Sequence, residues 1–234
     1  MMKRIVFSLA LILSTLFASA HAVWIETSFT GTKNKSQEVR VYLGEYADGV
    51  RDNVDKWFSN MKDVQLFVTA PNGDRQPVTL KANGNHLLGS FTPSADGTYT
   101  LSIAHTVATI YSENKIEYYA TATVVTGKPS VSPLSGVTAL SVVPALQTAK
   151  KQQPVPVSLF SDKQPLEKGK VEVISPLGWI KTLYTDEKGA ASFSPIEAGQ
   201  YLLEASRNEK VTGTLNDKPF KSVSHIVTHC IAVK

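Results

Sequence analysis

Histidine is the residue type in this sequence best suited to chemistry, because an imidazole can bind a transition metal or exchange a proton near neutral pH. The chain of 234 residues contains five histidines and a single cysteine. It contains no glycine-rich phosphate-binding loop and no Gly-x-Ser-x-Gly nucleophile elbow. We therefore expect a binding protein and not an enzyme.

His21 is the leading candidate for a metal ligand because of the segment that precedes it. Residues 1–20 run from a basic start through an apolar stretch to small residues, which is the order of a secretory signal peptide. Cleavage after Ala20 would leave His21 with both an imidazole and a free α-amine, a nitrogen pair that suits nickel and copper. Cleavage after Ala22 would remove that pair.

Glu26 and His105 are the candidates to complete a site with His21. Glu26 is close to His21 in the sequence, and His105 could be brought to it by the fold. His105 ends a row of alternate apolar residues, Tyr99, Leu101 and Ile103, which should face a core. A lone histidine in this position is more often a hydrogen-bonded residue at the rim of that core, which is the alternative interpretation.

His225 and His229 form a less useful pair than their spacing suggests. Their segment is rich in β-branched residues and predicts a strand, where side chains four residues apart share a face but stand about 13 Å apart. That is too far for one ion held about 2 Å from each nitrogen. We interpret each as a surface or rim residue and leave open whether either joins a site.

Cys230, next in the chain, is expected to be a buried, inert thiol. His86 is interpreted as a solvated turn residue.

A repeat at a domain-sized spacing organises the elements that would position these residues. The pattern Phe-[Thr/Ser]-Pro-x-x-x-Gly-x-Tyr-x-Leu at 91–101 recurs 102 residues later at 193–203. A weaker match relates 69–73 to 174–178. Repeats at such a spacing indicate tandem domains.

Both halves have the alternating, β-branched and aromatic composition of strands. The expected fold is all-β, with two tandem Ig-like or transthyretin-like β-sandwich domains at 21–126 and 137–234 and a Pro/Ser/Gly-rich linker at 127–136. Helical spacing of apolar residues at 52–61 predicts one short insertion helix. The predicted strands are 38–43, 64–68, 97–104, 117–125, 155–160, 170–174, 180–185, 190–194, 200–205 and 223–233.

Charge and hydropathy exclude two classes of partner. The net charge of +4 falls to +2 when Lys3 and Arg4 leave with the signal peptide, which argues against nucleic acid binding. The apolar part of that peptide is too short to span a bilayer, and no later segment has the roughly 20 apolar residues of a membrane helix. We expect a periplasmic protein whose mature form has no integral membrane segment.

The opening His21-x-x-Trp24-Ile25-Glu26, directly behind a signal peptide, resembles the start of the DUF4198 family of secreted bacterial proteins. Residues 117–125 resemble the strand that closes that family's first domain. The stretches 185–193 and 199–205 resemble its second domain, which is like the regulatory β-sandwich of carboxypeptidases.

That resemblance implies a NikM-like periplasmic component of nickel or cobalt uptake. Together with the residues above, the expected ligand is a divalent transition metal (nickel, cobalt or copper), with His21 as the leading candidate ligand and Glu26 and His105 as the weaker candidates. The implied partners are a metal uptake transporter or outer-membrane receptor components. Two alternatives stay open: a metal-free Ig-like interaction or adhesion module, and a copper oxidase with an N-terminal histidine brace, which needs a second histidine beside the first.

Overall fold

The computed structural model describes residues 21–130 and 138–234. The expected signal peptide at 1–20 and most of the expected linker lie outside the described residues. The strands of the first half are β1 (Ala22–Thr27), β2 (Thr30–Gly31), β3 (Gln37–Glu45), β4 (Val50–Arg51), β5 (Leu66–Thr69), β6 (Arg75–Val78), β7 (Lys81–Asn83), β8 (His86–Phe91), β9 (Gly97–Thr106) and β10 (Asn114–Thr126).

The second half is also built from strands, so the all-β prediction is confirmed. No helix in the described part of the chain is long and apolar enough to cross a membrane. The strands of the second half are β11 (Leu140–Pro144), β12 (Thr148–Ala149), β13 (Val155–Ser161), β14 (Gln164–Pro165), β15 (Lys170–Ile174), β16 (Ile180–Tyr184), β17 (Ala190–Phe193), β18 (Gly199–Glu209), β19 (Gly213–Leu215), β20 (Lys218–Phe220) and β21 (Ser222–Val233).

Each half is a sandwich of two sheets. In the first, the sheet β1-β3-β8-β7 packs against strands ordered β6-β5-β9-β10. In the second, β11-β13-β14, with β17 beside β13, packs against β16-β15-β18-β21. The two halves are joined because β10 and β21 pair in parallel, from Asn114 opposite Ser222 to Thr121 opposite His229. One continuous sheet therefore runs from β6 to β16 through both halves.

The repeated sequence pattern builds the same corner in each sandwich. The hydroxyl of Tyr99 donates to the backbone oxygen of Ala95 and accepts from its N–H, and Tyr201 makes the same two bonds with Glu197. This is the arrangement of a tyrosine corner. Gly97 has a φ of +132°, and a Cβ there would lie 2.5 Å from Pro71. The match between the two repeats therefore reflects shared local structure.

Strand β1 is buried on both of its faces. Val23 and Ile25 face the core of the first sandwich, whereas Trp24 packs with Leu202 and Cys230 of the second half. All three β1 residues are at most 1 % exposed. The Thr228 hydroxyl also donates to the backbone oxygen of Val23 at 2.6 Å. The first strand is thus a structural link between the halves.

The predicted insertion helix at 52–61 is wrong. The segment forms two separate 3-10 turns, Val54–Lys56 and Met61–Asp63, with the extended residue Trp57 after the first. The helical spacing did identify buried residues, because Val54, Trp57 and Met61 all lie in the core. The Val54 N–H donates to Gly84, outside the segment, and Trp57 has a ψ of 130°, so an α-helical ladder cannot continue.

Candidate functional site

His21 lies between two carboxylates at the start of β1. Its Nε2 is 3.0 Å from Oδ2 of Asp52, and its Nδ1 is 3.8 Å from Oε1 of Glu45. The side chain of His21 is 38 % exposed, and the two acidic side chains are 28 % and 23 % exposed. The ring edge also faces Phe58, with the centroids 6.2 Å apart. Solvent and small ions can therefore reach this site.

The β3–β4 hairpin positions both carboxylates. Ala22 pairs with Gly44, which brings His21 beside Glu45, and the N–H of Asp52 donates to the backbone oxygen of Leu43 at 2.9 Å. Gly44 has a φ of +154°, and a Cβ there would lie 2.3 Å from the backbone oxygen of Val50. The tight return of the chain that places Asp52 therefore depends on a glycine.

The two acidic residues contact opposite nitrogens of one ring, so they cannot both ligate an ion bound to that ring. In the described ranges, no group of three or more His, Cys, Asp or Glu side chains could hold a metal ion. When His21 is protonated, the arrangement is a double ion pair. When it is neutral, Asp52 can accept a hydrogen bond from Nε2 and leave the Nδ1 lone pair directed toward Glu45.

Glu26 is not brought to His21. Residues five apart on a strand face opposite sides and are separated by about 16 Å. The Glu26 carboxylate instead accepts hydrogen bonds from the indole of Trp24 at 2.8 Å and from Arg51 at 2.9 Å. The Arg51 guanidinium also lies over the Tyr42 ring, 5.0 Å from its centroid. Glu26 therefore serves a structural cluster.

His105 does not join His21 either. Its ring lies at the end of β9, and its Nε2 is buried without a hydrogen-bond partner among the residues that the structure describes. Burial lowers the pKa of His105, and the negative charge of Asp63 opposes that shift only in part. Burial therefore favours the neutral form of this ring at the edge of the first core. The predicted set of His21, Glu26 and His105 is not assembled in one place.

The family model for the domain of unknown function DUF4198 matches residues 18–209. The chain belongs to the DUF4198 family. No curated protein matches it.

Similar solved structures are distant from this DUF4198 chain. Fibronectin(III)-like modules of CbhA from Clostridium thermocellum share 11 % identity, with a TM-score of 0.25 and coverage of 90 % of this chain and 94 % of theirs. A DUF4785 family protein from Legionella pneumophila shares 13 %, with a TM-score of 0.32 and coverage of 77 % and 50 %. A Ca²⁺-stabilized, ice-binding adhesin of an Antarctic bacterium shares 12 %, with a TM-score of 0.27 and coverage of 92 % and 50 %. TM-scores this low carry no inference about function.

His225 of this DUF4198 protein lies in a separate charged network at the rim of the second sandwich. Its Nδ1 is 3.2 Å from Glu117 and its Nε2 is 3.5 Å from Glu209, while its ring stacks on Tyr119. The hydrogen bond with His225, followed by those from Lys115 and Tyr119, lowers the pKa of Glu117 to about 2. His225 is a rim residue, as expected, and its ring lies between two carboxylates.

His229 is fully buried, so its interpretation as a surface or rim residue was wrong. Its Nδ1 is 2.8 Å from the Thr121 hydroxyl and its Nε2 is 2.7 Å from Oε1 of Gln147. Burial lowers the pKa of His229 to about 3, which keeps the ring neutral. Two hydrogen-bond partners make burial of this polar ring possible. The adjacent Cys230 is buried on the other face, as expected.

Glu45 and Asp52 are the site residues that sequence reasoning missed. A signal was available, because Asp48-Gly49 is a typical hairpin dipeptide and directly follows the predicted strand at 38–43. A hairpin there pairs Glu45 with Val50 and returns Asp52 alongside β3, as observed. The pairing of β1 with β3, which adds His21, is a long-range contact without a comparable local signal.

Proposed function

We propose that this DUF4198 protein is exported to the periplasm and binds a divalent transition metal at His21. Nickel or cobalt is the first choice and copper the next. We further propose that it passes the ion to a metal uptake transporter or outer-membrane receptor components, and that its role is binding and not catalysis. In this proposal the signal peptide is cut after Ala20, which makes His21 the first residue.

The observation that carries the proposal is the geometry around the two nitrogens of His21. The 3.8 Å gap between Nδ1 and Oε1 of Glu45 is too long for a hydrogen bond. It is close to twice the roughly 2.0–2.2 Å length of a metal–ligand bond, so an ion between the two atoms requires only a small adjustment. The α-amine of a chain that starts at His21 would add a third ligand next to Nδ1.

Asp52 supports the same assignment from the other side of the ring. Metal-ligating histidines commonly donate their second N–H to a carboxylate, which fixes the ring and raises its basicity. The 3.0 Å contact between Nε2 and Asp52 is of this kind. Asp52 would therefore orient His21, while Glu45 would ligate the ion directly.

Calorimetric titration with Ni²⁺ tests the proposal, on protein whose start at His21 is verified by mass spectrometry. We expect one ion per chain, roughly 100-fold weaker binding for His21→Ala, and roughly 10-fold weaker binding for Glu45→Gln and Asp52→Asn. Affinity should fall as pH is lowered, since protons compete with the metal for its nitrogen ligands.

Two controls separate this site from incidental binding by histidine. A chain that retains Ala20 keeps the imidazole but moves the α-amine, so it should bind more weakly. His86→Ala removes another partly exposed imidazole and should leave binding unchanged. Equal affinity of the parent and His21→Ala, or a natural start at Val23, would refute the proposal.

A metal-free interaction module is the second candidate function. The observation that favours it is the exposed outer edge of the second sandwich, at β16, where apolar side chains face solvent. The histidine-brace oxidase has no comparable support, because the aromatic ring beside His21 is that of Phe58 and not of a second histidine.

A further inference from the structure

Strand β16 is one end of the continuous sheet, and β6 is the other. Among the described strands, β16 pairs only with β15. The two ends differ in how they are protected. Strand β6 contains Pro77, which has no N–H to offer to another strand, whereas β16 contains no proline. The β16 edge therefore has a backbone that can accept a further strand.

The side chains of β16 leave an apolar stripe in solvent. Ile180 is 50 % exposed and Tyr184 is 68 % exposed, and both lie on the same face as Thr182 because side chains alternate along a strand. Leu177, in the preceding turn, is 75 % exposed. Large apolar residues grouped in this way are a feature of interaction surfaces.

Hydrogen bonds at both ends of β16 show which residues face outward. The backbone oxygen of Trp179 accepts from Ser175 at 3.0 Å, and the N–H of Thr185 donates to Gly169 at 3.1 Å. Odd-numbered residues therefore bond inward to β15. In an antiparallel ladder, the backbone N–H and C=O groups of successive residues point to opposite sides of the strand. Those of the even-numbered residues therefore point away from the sheet.

We propose that β16 pairs antiparallel with β16 of a second copy of this chain, in a register centred on Thr182. Thr182 then lies opposite its own counterpart, and Ile180 lies opposite Tyr184 in both directions. All three outward residues fall at hydrogen-bonded positions of the ladder, so the register uses every outward N–H and C=O of the strand.

The side chains match in the same register. Thr–Thr pairs and pairs of aromatic with β-branched residues are favourable across antiparallel strands. Lys181 lies opposite Leu183, so no like charges face each other directly. A two-fold axis through Thr182 uses the same patch on both copies, which gives a closed dimer and not a fibre. Strand β16 has five residues, which form a small interface, so we expect a dimer of micromolar affinity.

Sedimentation velocity over a concentration series up to about 100 μM tests the dimer. Thr182→Pro removes both hydrogen bonds donated across the axis but none of those to β15, and it should raise the dissociation constant at least tenfold. Thr182→Ala keeps the N–H and serves as the matched control, with a change below threefold. A chain that is monomeric throughout, or a Thr182→Pro variant that dimerises as well as the parent, overturns the proposal.

A crosslink tests the register without relying on the proline variant. The Cα atoms of Thr182 in the two copies would be about 5.5 Å apart at the axis, within disulfide range, whereas those of Lys181 would be about 8 Å apart. Thr182→Cys should therefore form a disulfide-linked dimer at least tenfold faster than Lys181→Cys under mild oxidation. Equal rates, or no crosslink from Thr182→Cys, would contradict the pairing. His21→Ala should dimerise like the parent, so the proposed dimer and the proposed metal site are tested independently.

Discussion

At the scale of single residues, His229 and His21 carry the same imidazole but differ in their access to water. His229 is fully buried with a neutral ring, whereas His21 is 38 % exposed between two carboxylates. Neither environment could be deduced from local sequence. Both histidines adjoin β-branched or apolar residues, and only the pairing of β1 with β3 and of β21 with β10 distinguishes them.

His229 should make the protein less stable in acid. The pKa of His229 is about 3 in the fold, against an ordinary value of 6.5, so the unfolded chain takes up the proton first. Its contribution to stability is therefore complete above pH 6.5 and is lost as pH falls toward 3. We expect a loss of about 3 kcal/mol between about pH 7 and about pH 4.5 from this residue.

The measurement is urea unfolding of the parent and of His229→Gln at both pH values. Glutamine keeps a donor for Gln147 but does not titrate. The stability difference between the two proteins should shrink at the lower pH, because only the parent loses stability through this residue. His86→Gln is the comparison, because burial also lowers the pKa of this partly exposed ring but to a smaller extent, so the same change with pH should be smaller. A difference that stays constant with pH would show that His229 does not titrate as stated.

At the scale of elements, most of the long strands were predictable, whereas β1, β8, β11 and the shortest strands were not predicted. All ten predicted strands are present, and the largest boundary error among them is the end of β18, which runs to Glu209 and not to residue 205. Alternation of apolar and polar residues is a local signal, so it predicts a strand without knowledge of the rest of the fold. The shape of the segment at 52–61 depends on a bond to Gly84, which is not local.

Two strands of the second sandwich place like charges opposite each other. Glu204 of β18 pairs with Glu172 of β15, and burial together with the charge of Glu172 raises the pKa of Glu204 to about 7. Its contribution to stability is present below pH 4.5 and is lost as pH rises through 7. Glu204→Gln should therefore stabilise the fold at about pH 8 by roughly 1 to 2 kcal/mol and have little effect at about pH 4.5.

Thermal or urea unfolding at the two pH values measures this effect. Glu167→Gln is a suitable control, because Glu167 lies on the surface and pairs with the exposed Lys168. Equal stability of Glu204→Gln and the parent at the higher pH would mean that the strand pair accommodates both charges without cost.

At the scale of the whole molecule, the tandem repeat correctly indicated two similar sandwiches. Their relation could not be read from the sequence, because the parallel pairing of β10 with β21 joins residues more than 100 positions apart. Trp24 of the first half is buried against Leu202 and Cys230 of the second. The halves therefore share both a sheet and a buried contact.

Trp24→Ala should weaken both halves together. Removing a fully buried tryptophan lowers the free energy of unfolding by about 3 to 5 kcal/mol. Because the two halves share a sheet, both should become less stable. Fluorescence of Trp57, observed in a Trp179→Phe background, reports on the first half. Fluorescence of Trp179, observed in a Trp57→Phe background, reports on the second half. Both signals should shift to lower denaturant with coincident midpoints. A shift of the Trp57 signal alone would show that the halves unfold independently.

The burial of β1 on both faces also affects the order of folding. Val23 accepts a hydrogen bond from Thr228, a residue 205 positions later, and Trp24 packs on Cys230. Contacts of such high contact order form slowly, because the intervening chain must be ordered first. Strand β1 can therefore complete its packing only after β21, which is synthesised about 200 residues later, and until then its apolar side chains are exposed to chaperones and proteases.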